Sequence, residues 1–264
     1  MDDPNPIVAD SEVTQASQEQ MAQPLLCSDC EARLNRHGEK WVLSKGYRLQ
    51  GPSPLYAALS NASPDPAFPS GTVYSALAVP DINIDQLVYF GASIFWRASV
   101  ADWRLNRKPA ELVWLGSPYE EQFRQYLHGD AEFPANAVLW VAVARSEHPS
   151  PVFAFPAGER VGSYHRHTFD VLGLSYMLYV GNCLPEEVRR LCAVRSPNRY
   201  MFFTDIDPII DRNFRRRFSE SPPSPKLAAL REKDLSEFPQ IVRDQMANLA
   251  KARCGRKGPK SSAM

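Results

Sequence analysis

The sequence contains one closely spaced pair of cysteines, Cys27 and Cys30. Two thiolates at this spacing can bind one tetrahedral metal ion or exchange with a disulfide. A helix is expected to follow, and its first-turn amides would lower the pKa of both thiols. Because no βαβ pattern precedes the pair, a redox motif is the weaker interpretation. The remaining alternative is two ordinary reduced cysteines in a loop.

A structural zinc site needs four ligands, and this pair supplies two. His37 lies seven residues after Cys30, about two helical turns away, which is too far along one helix to share an ion easily. Cys183, Cys192 and Cys254 each stand alone in the sequence. Zinc is therefore the candidate cofactor, and the sequence pattern supplies two of the four ligands that a structural zinc site needs.

Two further groups of polar residues could bind a metal or a phosphate. His165 and His167 are two residues apart on a predicted strand, so both rings point to one face. The favoured interpretation is the polar face of an antiparallel strand, and a nucleophilic pair of Cys183 with His165 has no supporting pattern. Asp205, Asp207 and Asp211 could bind Mg²⁺. We favour a helix start instead, with Asp207 as the cap and Pro208 in the first turn.

The C-terminal segment is basic. From residue 208 to 264 there are 13 Lys or Arg and 6 Asp or Glu, a net charge of +7. Arg215, Arg216 and Arg217 lie near the end of a predicted helix. They could contact the phosphates of a nucleic acid, or they could form a solvated surface favoured by the helix dipole.

Composition favours a folded intracellular protein. The chain has 264 residues, of which 44% are apolar and 11% aromatic, and its formal net charge is zero. This neutrality argues against a constitutive polyanion binder. No apolar run reaches the roughly 18 residues of a membrane span, and no signal peptide is recognisable. We therefore expect no membrane partner. Five cysteines are an odd number for a secreted disulfide framework, which predicts a cytoplasmic location.

These candidate residues must be positioned by an α+β fold. We predict a leader without order at 1–24, one α+β domain at 25–205, helical over 25–130 and β-rich over 137–204, and a basic helical or disordered tail at 206–264. The predicted helices cover 30–43, 55–59, 84–105, 119–128, 185–192 and 227–250. The predicted antiparallel strands cover 137–143, 152–155, 165–172, 174–180 and 199–204.

The helix at 84–105 is expected at the centre of the core because apolar side chains surround most of it. It carries an aromatic stripe of Tyr89, Phe90, Phe95, Trp96 and Trp103. Base-stacking surfaces alternate with basic residues, whereas this stripe alternates with Ile, Val, Leu and Ala. The stripe therefore predicts core packing, and Arg97 within it needs a partner or a route to solvent.

The segment 25–43, with Leu-Leu-Cys-x-x-Cys-Glu and the helix after it, resembles the second half of the zinc module in uncharacterised bacterial proteins related to HNH-type endonucleases. The segments 89–103 and 118–143 are similar to their downstream region. The resemblance implies that Cys27 and Cys30 are zinc ligands and that the protein binds nucleic acid. In such a site a histidine is the general base and a divalent ion stabilises the transition state.

The chain departs from this family before Cys27. The 26 preceding residues contain neither cysteine nor histidine, so the first ligand pair and the catalytic-type histidine are missing. We therefore expect a non-catalytic metal- or nucleic-acid-binding protein. The alternative is a shortened metal-dependent nuclease whose zinc and histidine module lies upstream of Met1.

Overall fold

The structure is a computed structural model that describes residues 7–9, 14–16, 24–48, 51–102, 104–105, 108–109, 115–150, 152–220 and 222. The chain divides into two compact units. One comprises Glu19–Arg216 and contains the large sheet. The other comprises Met1–Gln18 and Arg217–Met264.

The helices are α1 (Ser28–Leu34), α2 (Lys40–Gly46), α3 (Pro54–Ser60), α4 (Ile84–Val100), α5 (Ser117–His128), α6 (Glu186–Arg190) and α7 (Asp207–Glu220). The strands are β1 (Ile7–Ala9), β2 (Thr14–Ala16), β3 (Val73–Ser75), β4 (Arg104–Leu105), β5 (Lys108–Pro109), β6 (Ala137–Ala144), β7 (Ala154–Val161), β8 (Tyr164–Val171), β9 (Leu174–Val180) and β10 (Tyr200–Thr204). A π-helical turn, Asn35–Glu39, joins α1 directly to α2, and a 3₁₀ turn covers Ala76–Ala78.

The predicted α+β class is confirmed, but the sheet is mixed. Its six strands lie in the order β3-β10-β6-β9-β8-β7, and every pair is antiparallel except β10 with β6. A purely antiparallel sheet was the wrong prediction. Because β9 runs antiparallel to β6, it ends beside the first residue of β6. The chain then crosses to the other side of β6 and enters the sheet again as β10. The strand β10 therefore begins at the same end as β6 and runs parallel to it.

Helices cover both faces of this sheet. Alternate residues of the central strand β6 point to opposite faces. Leu139 and Val141 join the main core beneath α4, whereas Val138 and Ala142 face α6 and α7. The almost wholly apolar sequence of β6 follows from this burial on both faces.

The helix α4 is central, as predicted, with Leu87, Phe90 and Phe95 almost fully buried. It ends at Val100 rather than at residue 105, because the chain then turns into the short pair β4–β5. Of the aromatic stripe, Phe90 and Phe95 lie in the core and Tyr89 and Trp96 pack against it. Trp103 lies outside the described residues.

The partner expected for Arg97 is Glu39. The Arg97 guanidinium donates to the Glu39 carboxylate over 2.5 Å, and both side chains are mostly shielded from solvent. This ion pair ties the end of the π-helical turn to α4 and provides the charge compensation that a shielded arginine requires.

Several predicted boundaries shift. The helix α5 begins at Ser117, two residues before the predicted start at 119, with Gly116 as its cap at φ of +83°. The edge strand β7 begins at Ala154 and extends to Val161, beyond the predicted 152–155. Its second half is polar and exposed, so apolar patterning gave no sign of it. The three-residue strand β3 was not predicted at all.

Residues 7–9 and 14–16 pair as β1 and β2 within the segment that we expected to be without order. The helix predicted at 227–250 lies outside the described residues. Within the described part of the chain, no helix is both long enough and apolar enough to cross a bilayer.

The side chain of Tyr176 lies in the core with its hydrogen-bonding group unpaired. The hydroxyl of Tyr176 is buried without a hydrogen-bond partner, and burial raises the pKa of this phenol. The ring itself is stacked on Phe169 with centroids 4.6 Å apart. Tyr176 thus contributes packing while its polar atom remains desolvated.

Replacing Tyr176 by phenylalanine is therefore expected to leave the free energy of unfolding unchanged or to raise it by about 1 kcal/mol. The matched control is Tyr89→Phe, which removes a hydroxyl that donates to the Leu127 carbonyl over 2.6 Å and should cost about 1 kcal/mol. Urea unfolding of both variants measures the difference. A larger loss of unfolding free energy for Tyr176→Phe than for Tyr89→Phe would show that the Tyr176 hydroxyl makes a stabilising hydrogen bond, contrary to this prediction.

Candidate functional site

The cysteine pair stands at the start of α1. Cys27 is the residue that caps this helix, with an extended backbone, and its carbonyl accepts from the Glu31 amide over 3.0 Å. Cys30 lies in the first helical turn. A serine or aspartate at the cap would accept from the amides of the second and third helical residues, which here are Asp29 and Cys30. Cys27 holds this cap position, although its sulfur makes no capping hydrogen bond.

The two thiols differ in acidity. The backbone N–H of Cys30, followed by its S–H group, lowers the pKa of Cys27, although the Cys27 sulfur makes no capping hydrogen bond of ordinary geometry. The pKa of Cys30 is raised, chiefly because its thiol donates to Cys27. We expected both pKa values to fall. They diverge because one sulfur accepts the hydrogen bonds and the other donates one.

Both sulfurs are chemically available. Cys27 is exposed, Cys30 is half-buried, and neither forms a disulfide. Leu26, just before the pair, packs against the core and anchors the incoming chain. A low-pKa, accessible thiol with a second thiol beside it is the arrangement typical of reactive cysteines.

The end of α5 fixes the helix that carries the pair. Arg33 donates to the His128 carbonyl over 2.6 Å, and Tyr89 donates to the Leu127 carbonyl over 2.6 Å. These bonds satisfy carbonyls that a helix end leaves unpaired. Burial raises the pKa of Tyr89, which also responds to the charges of Arg33 and Cys30. Sequence reasoning missed Arg33 and Tyr89, although Arg33 is three residues from Cys30 and hence on one helical face.

The π-helical turn lies where the chain crosses closely over α4. A Cβ atom at Gly38 would lie 3.0 Å from the Phe90 amide nitrogen, so only glycine lets the two backbones approach this closely. The lack of a side chain at Gly38 therefore fixes the position of the cysteine-bearing helix on α4.

Cys27 and Cys30 would supply two ligands to a zinc ion. Among the described residues, no group of three or more His, Cys, Asp or Glu is placed to hold a metal ion. His37 is exposed and its ring contacts Tyr89, with centroids 5.5 Å apart. The described residues therefore do not close a four-ligand site around Cys27 and Cys30. Zinc binding remains a prediction from the resemblance.

His165 and His167 share one face of β8, as predicted, but that face packs on α4. Their rings are stacked 6.2 Å apart, and the ring of Phe95 lies 6.3 Å from that of His167. His167 is only 1% exposed, and neither of its ring nitrogens has a hydrogen-bond partner. The predicted polar strand face is therefore wrong for His167. Cys183 is exposed on the segment after β9.

The carboxylates near α7 are separated by local structure. Asp205 is exposed, and Asp211 accepts from the Ser150 hydroxyl over 2.6 Å. Asp207 is the first residue of α7 rather than its cap, and one of its carboxylate oxygens is buried without a partner. The Ile206 carbonyl accepts the first helical bonds instead.

The basic residues occupy the second half of α7. Arg215 and Arg216 are exposed, and the side chain of Arg217 lies outside the described part of the structure. Contact with nucleic acid stays a prediction for these three residues.

Comparison with protein-family models, with curated proteins and with solved structures finds no significant match to this chain. The resemblance to HNH-type endonucleases stays a prediction from the sequence. Function has to be argued from the geometry of the chain itself.

Proposed function

We propose that Cys27 and Cys30 form a thiol–disulfide exchange centre. The observation that carries the proposal is the position of the two thiols at the start of α1, where Cys27 is the exposed cap residue, Cys30 lies in the first turn and neither forms a disulfide. The opposite directions of their pKa shifts support a different role for each thiol. Exchange needs one thiolate to attack and a second thiol to complete the reaction. The pair supplies one residue for each role.

In the first step, the Cys27 thiolate attacks one sulfur of a substrate disulfide. A mixed disulfide forms, and the other substrate sulfur leaves as a thiolate that takes a proton from solvent. Cys30 then loses its proton and attacks the Cys27 sulfur, so that the second substrate thiol is released. The balance is two electrons: the substrate disulfide becomes two thiols, and Cys27 and Cys30 become one disulfide.

The helix start makes Cys27 the attacking residue. Its sulfur is the more exposed of the two and is the one that the first-turn amides stabilise. Cys30 is half-buried behind it and carries the proton. The start of a helix favours a negative charge, and a thiolate in that position is also a nucleophile.

The decisive measurement is the pH dependence of alkylation by iodoacetamide, followed residue by residue with peptide mass spectrometry on the full chain. We expect Cys27 to reach half of its maximal rate at a lower pH than Cys183, an exposed cysteine elsewhere in the chain. At neutral pH, Cys27 should react at least tenfold faster, because only the thiolate reacts.

Cys30→Ser is the informative variant because it keeps the helix start and exchanges the donor atom. In this variant we expect the mixed disulfide with glutathione to accumulate at Cys27, whereas the native chain forms the Cys27–Cys30 disulfide. Cys27→Ser should abolish both products at this site. A Cys27 rate that matches that of Cys183, or no Cys27–Cys30 disulfide in oxidised glutathione, would overturn the proposal.

Elemental analysis separates this function from zinc binding. An exchange centre predicts no stoichiometric zinc in the purified protein. Stoichiometric zinc that Cys27→Ser removes, together with protection of both thiols from iodoacetamide, would contradict exchange. It would favour the metal site implied by the resemblance.

A further inference from the structure

Two adjoining cavities flank the π-helical turn. Their volumes are about 300 Å³ and 570 Å³, and both are lined by Arg36 and Gln86. The smaller cavity also contacts His37, Tyr89 and Tyr126, and the larger one contacts Lys40, Trp41 and Ser44. Arg36 and Gln86 thus form a wall common to both.

The lining carries an excess of positive charge. Arg36 and Lys40 are both exposed at this surface. Among the described residues that line either cavity, Asp85 is the one carboxylate, and Arg199 binds it over 2.6 Å. An anion entering beside Arg36 and Lys40 would therefore meet two cations and a carboxylate that is already neutralised. A guanidinium is well suited to hold a phosphate or carboxylate through two hydrogen bonds.

Aromatic surface lies beside these charges. Trp41 is half-buried, packs against the core and lines the larger cavity. On the other side of Arg36, the rings of Tyr89 and Tyr126 lie 6.0 Å apart. Indole and phenol rings bind planar ligands by stacking.

Gln86 has an unmet hydrogen-bonding requirement in the common wall. Its side-chain oxygen is buried without a partner, and the residue lines both cavities. The terminal torsion of glutamine is soft, so a modest rotation can present the oxygen to a donor. A ligand N–H group would relieve the desolvation that this oxygen now bears.

The backbone holds this surface in place. Arg36 belongs to the π-helical turn, and that turn is fixed by the contact of Gly38 with Phe90 and by the ion pair of Glu39 with Arg97. Single π turns inside α-helices occur frequently at functional sites. Here the turn places Arg36 between the two cavities.

From these features we propose that the two cavities form one binding site for a small aromatic anion of the mononucleotide type. Its ring lies against Trp41 in the larger cavity, its anionic group is held by Arg36 and Lys40, and a ring N–H group meets Gln86. The larger cavity is open to solvent, so a bound ligand keeps part of its surface exposed. Neither Cys27 nor Cys30 lines either cavity.

The test is isothermal titration of the full chain with adenosine monophosphate, adenosine and inorganic phosphate. We expect the monophosphate to bind at least tenfold more tightly than either fragment, because it alone contacts both the aromatic and the cationic surface. Arg36→Gln should weaken its binding at least tenfold. Arg48→Gln, which removes one exposed positive charge outside both cavities, should leave it unchanged.

Three results would overturn the proposal. The first is no binding of the monophosphate at millimolar concentration. The second is an equal loss in Arg36→Gln and Arg48→Gln, which would indicate non-specific attraction. The third is phosphate binding as tightly as the monophosphate, which would leave only an anion contact. Arg36 is exposed, so its variant should fold, and Cys27→Ser should bind the monophosphate normally.

Discussion

Gly91→Ala is expected to lower the free energy of unfolding by about 2 kcal/mol, although alanine is the better helix former. The added Cβ atom would lie 2.6 Å and 2.9 Å from two ring carbons of Tyr176, and 3.3 Å from a methyl group of Leu139. Contacts below 3 Å force either the ring or the helix to move. On this face, α4 meets the sheet at the distance that glycine allows.

The Tyr176 ring cannot move away cheaply. It is fully buried, stacked on Phe169 and in contact with Phe90 at a centroid distance of 5.8 Å. A close-packed interior transmits such a displacement to its neighbours. The gain of up to about 1 kcal/mol in helix propensity is therefore outweighed by the strain of overpacking.

Urea unfolding followed by circular dichroism measures this loss. Gly46→Ala is the matched control, because its Cβ atom would meet only the side chain of Leu174, 3.1 Å from one methyl group and 3.7 Å from Cγ. It should change stability by less than about 1 kcal/mol. Combining Gly91→Ala with Tyr176→Leu should cost less than the sum of the two single changes. Equal losses at Gly91 and Gly46, or strict additivity, would refute the close-approach explanation.

Periodicity was sufficient to predict the main elements. The helix α4 was recognisable because apolar residues surround it, and β6 and β9 because short apolar runs are bounded by turn residues. The polar edge strand β7 and the three-residue strand β3 carry no such signal. The parallel pairing of β10 depends on where the chain re-enters the sheet, which is a property of the tertiary structure rather than of any local pattern.

The candidate site was visible in the spacing of Cys27 and Cys30, but its chemistry was not. The opposite pKa shifts depend on which sulfur accepts and which donates. Likewise, the strand period placed His165 and His167 on one face, yet it could not tell which face is covered by α4. Only packing decides whether such a histidine meets water or Phe95.

The buried His167 predicts a loss of stability in mild acid. Desolvation, assisted by the neighbouring His165, lowers the pKa of His167 to about 4 from its ordinary value of 6.5. Between these two pH values, His167 is protonated in the unfolded chain and neutral in the folded chain. Stability therefore falls as the pH decreases from 6.5 towards 4, by up to about 3 kcal/mol, and this contribution levels off below pH 4.

The measurement is the free energy of unfolding in urea at several pH values, compared between the native chain and His167→Phe. Phenylalanine has a similar shape and does not titrate, so the difference between the two proteins should grow by about 3 kcal/mol from pH 7 to pH 4. The comparison cancels other groups such as Asp170, whose pKa is raised by burial and which acts in the opposite direction. His167→Met provides a second non-titrating variant if phenylalanine disturbs the packing.

His165→Gln is the control for the neighbouring ring. It should retain most of the acid sensitivity, because desolvation rather than the charge of His165 is the main cause of the shift. The close approach of β7 explains why His167 stays dry: a Cβ atom at Gly158 would lie 2.4 Å from its Nδ1 atom, so that glycine admits the ring against the strand. If His167→Phe and the native chain lose stability in parallel down to pH 4, His167 must take up its proton in the folded protein, and the ring cannot be sealed between β7 and α4.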